Sequence, residues 1–155
     1  MMRNIKAMEP KYLTPSLQLV ETVFSEWDSP DEGKMVRSLV EEIRVKKYYI
    51  PELEFIMVDE ADEVIGYAMF SRFPLEGKHA DELLILTPVA VKPEYQRQGI
   101  GTQILTHILE KNKGRRVYLQ TFRDNPARKL YERVGFQKYG ETQTHWLMER
   151  GRLIS

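Results

Sequence analysis

The stretch LLILTPVAV (Leu83–Val91) constrains the architecture more than any other part of the chain. It is apolar almost throughout, too short for an ordinary helix and too continuous for a strand with one wet face. It reads as a central strand covered on both sides, which requires an α/β arrangement. Pro88 lies inside the run. Proline has no N–H to give to a ladder, so the strand is expected to bulge or break there.

The flanking segments supply the covering layers. A short strand is expected near Asn4–Met8. Thr14-Pro15 resembles a helix cap followed by first-turn proline, and Leu17, Val20 and Phe24 recur at helical spacing, which predicts a helix over Thr14–Ser25. WDSPDEG (Trp27–Gly33) is expected to be a loop, after which Val36, Leu39, Val40 and Ile43 restart a helical stripe running to about Lys46. Glu54–Asp59 and Val64–Phe70, joined by a turn at Glu60–Glu63, predict a β-hairpin. Further on, Ile104, Leu105, Ile108 and Leu109 mark a helix ending near Gly114, and Val117–Thr121 a buried strand. Asn125-Pro126 repeats the cap-and-proline signal, Leu130, Tyr131 and Val134 form the stripe, and Gly135 is the stop. FQKY and THWLM close the chain as strands. The whole, residues 1–155, is expected to form one domain.

Between the apolar strand and the helix after it stands QRQGIG (Gln96–Gly101). Glycine beside a helix costs about 1 kcal/mol relative to alanine, so a pair of them needs a reason. Either the turn requires unusual φ, or something approaches the main chain closely. A glycine-rich turn opening a helix presents unpaired amides and the positive end of the helix dipole, a natural site for a diphosphate. A dinucleotide-binding fingerprint fails because Ile104 occupies its third glycine position, and no G-K-[ST] follows to make a P-loop. The segment TPVAVKPEYQRQGIGTQIL instead resembles the coenzyme A pyrophosphate signature, Q/R-x-x-G-x-G, of the GNAT superfamily of N-acetyltransferases. A second block, Asn125, Ala127, Tyr131, Gly135 and Phe136, resembles N-x-A-x-x-x-Y-x-x-x-G-F of the same superfamily, in the expected order. Together they cover Leu83–Tyr139.

The resemblance implies a mixed, mostly antiparallel twisted sheet with a central parallel, splayed strand pair, flanked by about four helices. It implies acetyl transfer from acetyl-CoA to a primary amine by direct attack, with no metal. The turn Gln96, Arg97, Gln98, Gly99, Ile100, Gly101 and Thr102 would hold the pyrophosphate, and the backbone of Val89, Ala90 and Val91 would pair with pantetheine. Tyr131 matches the position that usually protonates the leaving thiolate; a phenol titrates near 10 and is a donor at neutral pH. Packing alone also accounts for a tyrosine at helical spacing. Asn125 reads both as a cap and as a cofactor contact, while Arg128 and Lys129 lie near enough to reach adenosine phosphates or simply face solvent. For the general base, Glu82 is the first candidate, with Asp81, His79 or a relayed water as alternatives. The acceptor walls implied are the Phe24–Gly33 loop, Tyr48, Tyr49 and the Phe73–His79 loop, with Trp27, Asp28, Asp31 and Glu32 placed to attract a cationic amine. A module that binds acyl-CoA without catalysis is the alternative.

Composition removes other classes. There is no cysteine, hence no thiolate metal site or cysteine nucleophile. Lys+Arg and Asp+Glu both number 23, which offers no argument for a nucleic-acid partner. No run approaches the roughly 18 apolar residues of a membrane span, and the N-terminus lacks a signal-peptide pattern, so a cytoplasmic protein is expected. The three histidines, among them His107 and His145, show no metal-ligand spacing. Homodimers are common in the superfamily.

Overall fold

The computed structural model describes residues 4–47, 49–72, 83–112, 115–123, 125 and 127–151. In chain order they form β1 (Asn4–Ala7), α1 (Leu13–Trp27), α2 (Pro30–Arg44), β2 (Tyr49–Val58), β3 (Val64–Arg72), β4 (Leu83–Val91), α3 (Ile100–Lys111), β5 (Arg116–Phe122), α4 (Ala127–Arg133), β6 (Gln137–Glu141) and β7 (His145–Arg150). Short 3-10 turns at Pro10–Tyr12 and Pro93–Tyr95 precede α1 and the glycine turn. One seven-stranded sheet takes the order β1-β2-β3-β4-β5-β7-β6. Every neighbouring pair is antiparallel except β4 and β5. The fold expected from the resemblance is the one present.

Each face of the sheet carries its own core. On one face, α3 and α4 bury Ile100, Ile104, Leu105, Ile108, Leu109 and Tyr131 against Phe55, Phe70, Leu86, Val117, Leu119 and Met148. On the other, α1 and α2 bury Leu19, Val20, Val36, Val40 and Ile43 against Ile56, Val58, Tyr67, Met69 and Ala90. At roughly 25 cal/mol per Å² of apolar area removed from water, two such cores are the main favourable contribution to folding.

Two local expectations fail in an instructive way. Thr14 is not a cap: α1 starts one residue earlier, with Tyr12 at the cap position and the Ser16 hydroxyl donating to the Tyr12 carbonyl at 2.6 Å. The cap signal operates instead at Ser29-Pro30, where Ser29 Oγ accepts from the Glu32 amide at 3.2 Å and Asp31 and Glu32 sit at the positive end of the dipole. The supposed loop Trp27–Gly33 therefore shrinks to Asp28-Ser29 between two helices. Gly33 lets those helices close, since a Cβ there would come within 2.4 Å of the Glu21 carbonyl oxygen. The strand β2 also starts earlier than expected, at Tyr49.

A buried charge ties α2 to the sheet. Glu54 on β2 is 0% exposed, and its carboxylate accepts from Arg44 Nε at 2.8 Å, Tyr49 Oη at 2.6 Å and Tyr67 Oη at 2.5 Å. Such a charge is tolerated inside because each oxygen is bonded and Arg44 Nη2 lies 2.6 Å away. Burial, then the adjacent Glu54 charge, pushes the Tyr67 phenol up, so it remains a donor.

Candidate active site

Pro88 acts as its chemistry requires. On β4 the register with β3 steps from Leu86 opposite Phe70 to Val89 opposite Ala68, an extra residue on β4 at the proline. On the other side β4 pairs with β5 only through Leu83, Leu84 and Ile85, opposite Arg116, Val117 and Tyr118. Both strands continue beyond that point, β4 to Val91 and β5 to Phe122, without pairing. A slot opens in the middle of the sheet, with the backbone of Leu86–Val91 along one edge.

At the end of β4 the chain enters the glycine turn. Gln96 Nε2 donates to the Val91 carbonyl at 3.0 Å and Gln98 Nε2 to the Glu94 carbonyl at 3.3 Å, which folds the turn back on itself. Arg97 and Gly99 both have left-handed φ, 67° and 79°. Gly99 is the cap residue of α3, and nothing lies within 4 Å of where its Cβ would be. The first bond back along the helix runs from the Gln103 amide to the Gly99 carbonyl, at 2.9 Å. The amides of Ile100, Gly101 and Thr102 thus belong to the unsatisfied first turn.

The second glycine has another reason. A Cβ at Gly101 would lie 2.8 Å from Leu130 Cδ2, so a bare position here lets α4 pack against α3. Ile100 is buried in the core, and the Thr102 hydroxyl is buried with no partner.

Tyr131 is 8% exposed on α4, its ring edge-on to Phe136 at 6.0 Å. Burial pushes its phenol up to about 12, which keeps it protonated. Asn125 caps the start of α4 through Oδ1, which accepts from the Ala127 amide at 2.9 Å. Arg128 turns away from the turn: it stacks over Trp146 at 4.8 Å and donates to the Arg123 carbonyl at 3.3 Å. Lys129 is exposed. His79, Asp81, Glu82, Tyr48 and the Phe73–His79 loop lie outside the described residues. Tyr49, expected as an acceptor wall, is committed to Glu54.

Two groups escaped the sequence reading. Thr121, 4% exposed on β5 beside the slot, has a buried hydroxyl without a partner. His145, which looked unremarkable, opens β7 opposite Phe122 with its ring 4.1 Å from the Phe122 ring. Phe122 in turn packs on Trp27 at 5.2 Å, bringing the α1–α2 corner to the mouth of the slot. There the Glu32 carboxyl is raised by burial and then by Asp28, against an opposing pull from His145. No local signal marks that cluster, because its members come from four elements. His107, by contrast, lies edge-on to Phe55, and burial followed by Lys111 lowers its basicity. Among the described residues no group of three His, Asp or Glu side chains is arranged to hold a metal ion.

The sheet is thus split between its two parallel strands, and the unsatisfied first turn of α3 lies beyond the end of one of them. The chain belongs to the GNAT acetyltransferase domain family, whose model matches residues 51–138. It is 33% identical over 91 residues to the N-alpha-acetyltransferase RimI of Mycobacterium tuberculosis, a match covering 58% of this chain and 56% of that protein. The match thus spans little more than half of that relative. The fold is shared with the ribosomal-protein-S18-alanine N-acetyltransferase of Escherichia coli (TM-score 0.69, 21% identity, 96% of this chain and 93% of that one). It is shared also with the PaiA N-acetyltransferase of Thermoplasma acidophilum in complex with coenzyme A (TM-score 0.74, 15% identity, 97% and 99% coverage). No helix among the described residues is long and apolar enough to cross a membrane.

Proposed function

We propose that the protein transfers an acetyl group from acetyl-CoA to a primary amine, and that the amine is the α-amino group of a polypeptide. The opening between β4 and β5 carries this reading, because there, among the described residues, an interior strand leaves its main-chain edge unpaired beside a helix start suited to an anion. The residues present suit the cosubstrate. The amides of Ile100, Gly101 and Thr102, reached across the open space at Gly99, suit a pyrophosphate, with Gln96, Arg97 and Gln98 in the same turn. The edge of Val89, Ala90 and Val91 suits the amides of a pantetheine arm, and the orphan Thr121 hydroxyl supplies one more hydrogen-bonding group. Asn125 stays a helix cap and Arg128 a partner of Trp146 in this reading.

When bound, acetyl-CoA supplies the activated acyl group. Tyr131, kept neutral by burial, supplies the proton for the departing thiolate. The amine's class is taken from the relatives, which are named as N-alpha-acetyl and alanine N-acetyl transferases. The test is thermal unfolding with acetyl-CoA and NADH, followed by thiol release with an Ala-initiated peptide and with spermidine. At a hundred times its dissociation constant a ligand adds about 2.7 kcal/mol, a midpoint rise of roughly 5–10 °C. A rise with acetyl-CoA alone, with thiol released on adding the peptide, is expected; no rise would refute the cleft assignment. Spermidine turnover without peptide turnover would overturn the choice of amine only.

A further inference from the structure

The slot has two sides, and only one has been given a chemical group. Tyr131 belongs to the α3–α4 face of the sheet, in the same core as Val117, Leu119 and Met148. Cross-strand partners share a face, and Phe122 and His145 are partners. Phe122 touches Trp27 of α1, so it and His145 belong to the α1–α2 face. Continuing the parallel register from Ile85 opposite Tyr118 brings Phe122 level with the bulged end of β4 around Val89. Tyr131 and His145 therefore stand on opposite faces of the sheet, at the two mouths of one opening.

We propose that His145 is the general base that takes a proton from the acceptor amine, which enters by the α1–α2 mouth. The proposal rests on the acetyl-transfer reading above. The imidazole is held for this task. Its backbone amide donates to Thr142 Oγ1 at 3.0 Å, its ring lies on Phe122, and Nδ1 is 2.7 Å from Thr144 Oγ1. In the tautomer whose Nδ1–H donates to Thr144, the Nε2 lone pair is left for the substrate. The charges around it are Glu32, with Asp28 beside it on the helix corner, and Arg123, whose amide donates to the Thr144 carbonyl at 3.0 Å and whose side chain pairs with Glu141 at 3.4 Å. Glu32 and Asp28 draw an ammonium ion in.

The protons balance. Nε2 of His145 takes one proton from the ammonium and passes it to solvent. The freed amine attacks the thioester carbon, forming the C–N bond as the C–S bond breaks. The second nitrogen proton leaves as Tyr131 protonates the thiolate, and the phenol is restored from solvent. The products are the amide, coenzyme A thiol and one proton released.

The experiment compares wild type, His145→Gln and Glu32→Gln with acetyl-CoA and an Ala-initiated peptide or spermidine, reading thiol release from about pH 5 to 9. For His145→Gln, kcat is expected to fall about 100-fold or more, the acid limb to flatten, and the thermal shift with acetyl-CoA to stay unchanged. Glu32→Gln, at the helix corner, should raise the KM for the amine several-fold while leaving kcat within twofold, because it removes a charge that draws the ammonium ion in. Turnover within twofold of wild type for His145→Gln, or an unmoved KM for the amine in Glu32→Gln, overturns the assignment while leaving acetyl transfer standing. Wild-type protein that turns over neither amine defeats the acetyl-transfer reading and this inference with it.

Discussion

Gly101→Ala is the substitution whose outcome depends most on the reasoning. The new Cβ would sit 2.8 Å from Leu130 Cδ2, whereas carbon atoms in contact prefer about 3.5–4.0 Å. Leu130 must therefore move by close to an ångström while packed against the α3–α4 core. Overpacking of this kind costs about 1–3 kcal/mol, against a gain of at most about 1 kcal/mol for replacing glycine in a helix. The net expectation is a loss of about 0–2 kcal/mol, or up to several degrees in midpoint for a chain of this size. In a Leu130→Ala background the obstruction is gone, and the same substitution should stabilise by up to about 1 kcal/mol. Urea unfolding of the four proteins, followed by circular dichroism, reads the coupling directly. Gly99→Ala serves as the control, costing about 1–2 kcal/mol of left-handed strain in both backgrounds, since nothing crowds its Cβ. Equal effects of Gly101→Ala in the two backgrounds, within about 0.5 kcal/mol, would falsify the packing explanation and return Gly101 to the ligand.

Other expectations are independent of that one. Tyr131→Phe should cut kcat about 100-fold while leaving the thermal shift with acetyl-CoA intact; unchanged turnover removes the tyrosine from the chemistry. The Tyr131 phenol is raised from 10 to about 12, so its contribution is fully present below pH 10 and is lost as pH climbs toward 12. Between pH 9 and 11 that loss is about 1.4 kcal/mol, and Tyr131→Phe should remove it from the measured pH dependence of unfolding. Glu54→Ala leaves Arg44 buried without its partner and should cost about 3–5 kcal/mol by denaturant unfolding; a cost under 1 kcal/mol would mean that the ion pair is not desolvated.

Several elements were legible from local pattern alone. The apolar run with its proline predicted a bulged central strand, and the register steps at that proline. The glycine turn, α3, α4 and the closing strands stand where spacing and stop signals put them. The cap at Thr14 failed because α1 starts one residue earlier, with Tyr12 at the cap position; the cap-and-proline signal that operates, Ser29-Pro30, opens α2. Of the two glycines the sequence distinguishes neither: Gly99 is needed for its φ and Gly101 for a neighbour almost thirty residues away.

The class of the fold and the place of the glycine turn were legible in the sequence, since both follow from local rules. Hydrophobic periodicity sets helix against strand, proline removes a donor, and glycine permits φ values closed to other residues. Which polar groups meet depends on the folded chain. Glu54 looks like any strand carboxylate until Arg44, Tyr49 and Tyr67 close over it. His145 looks like any strand residue until Trp27 and Phe122 bring the helix corner to its side. The surroundings of a charge or an imidazole are made by residues distant in sequence, and their spacing along the chain carries no trace of the meeting.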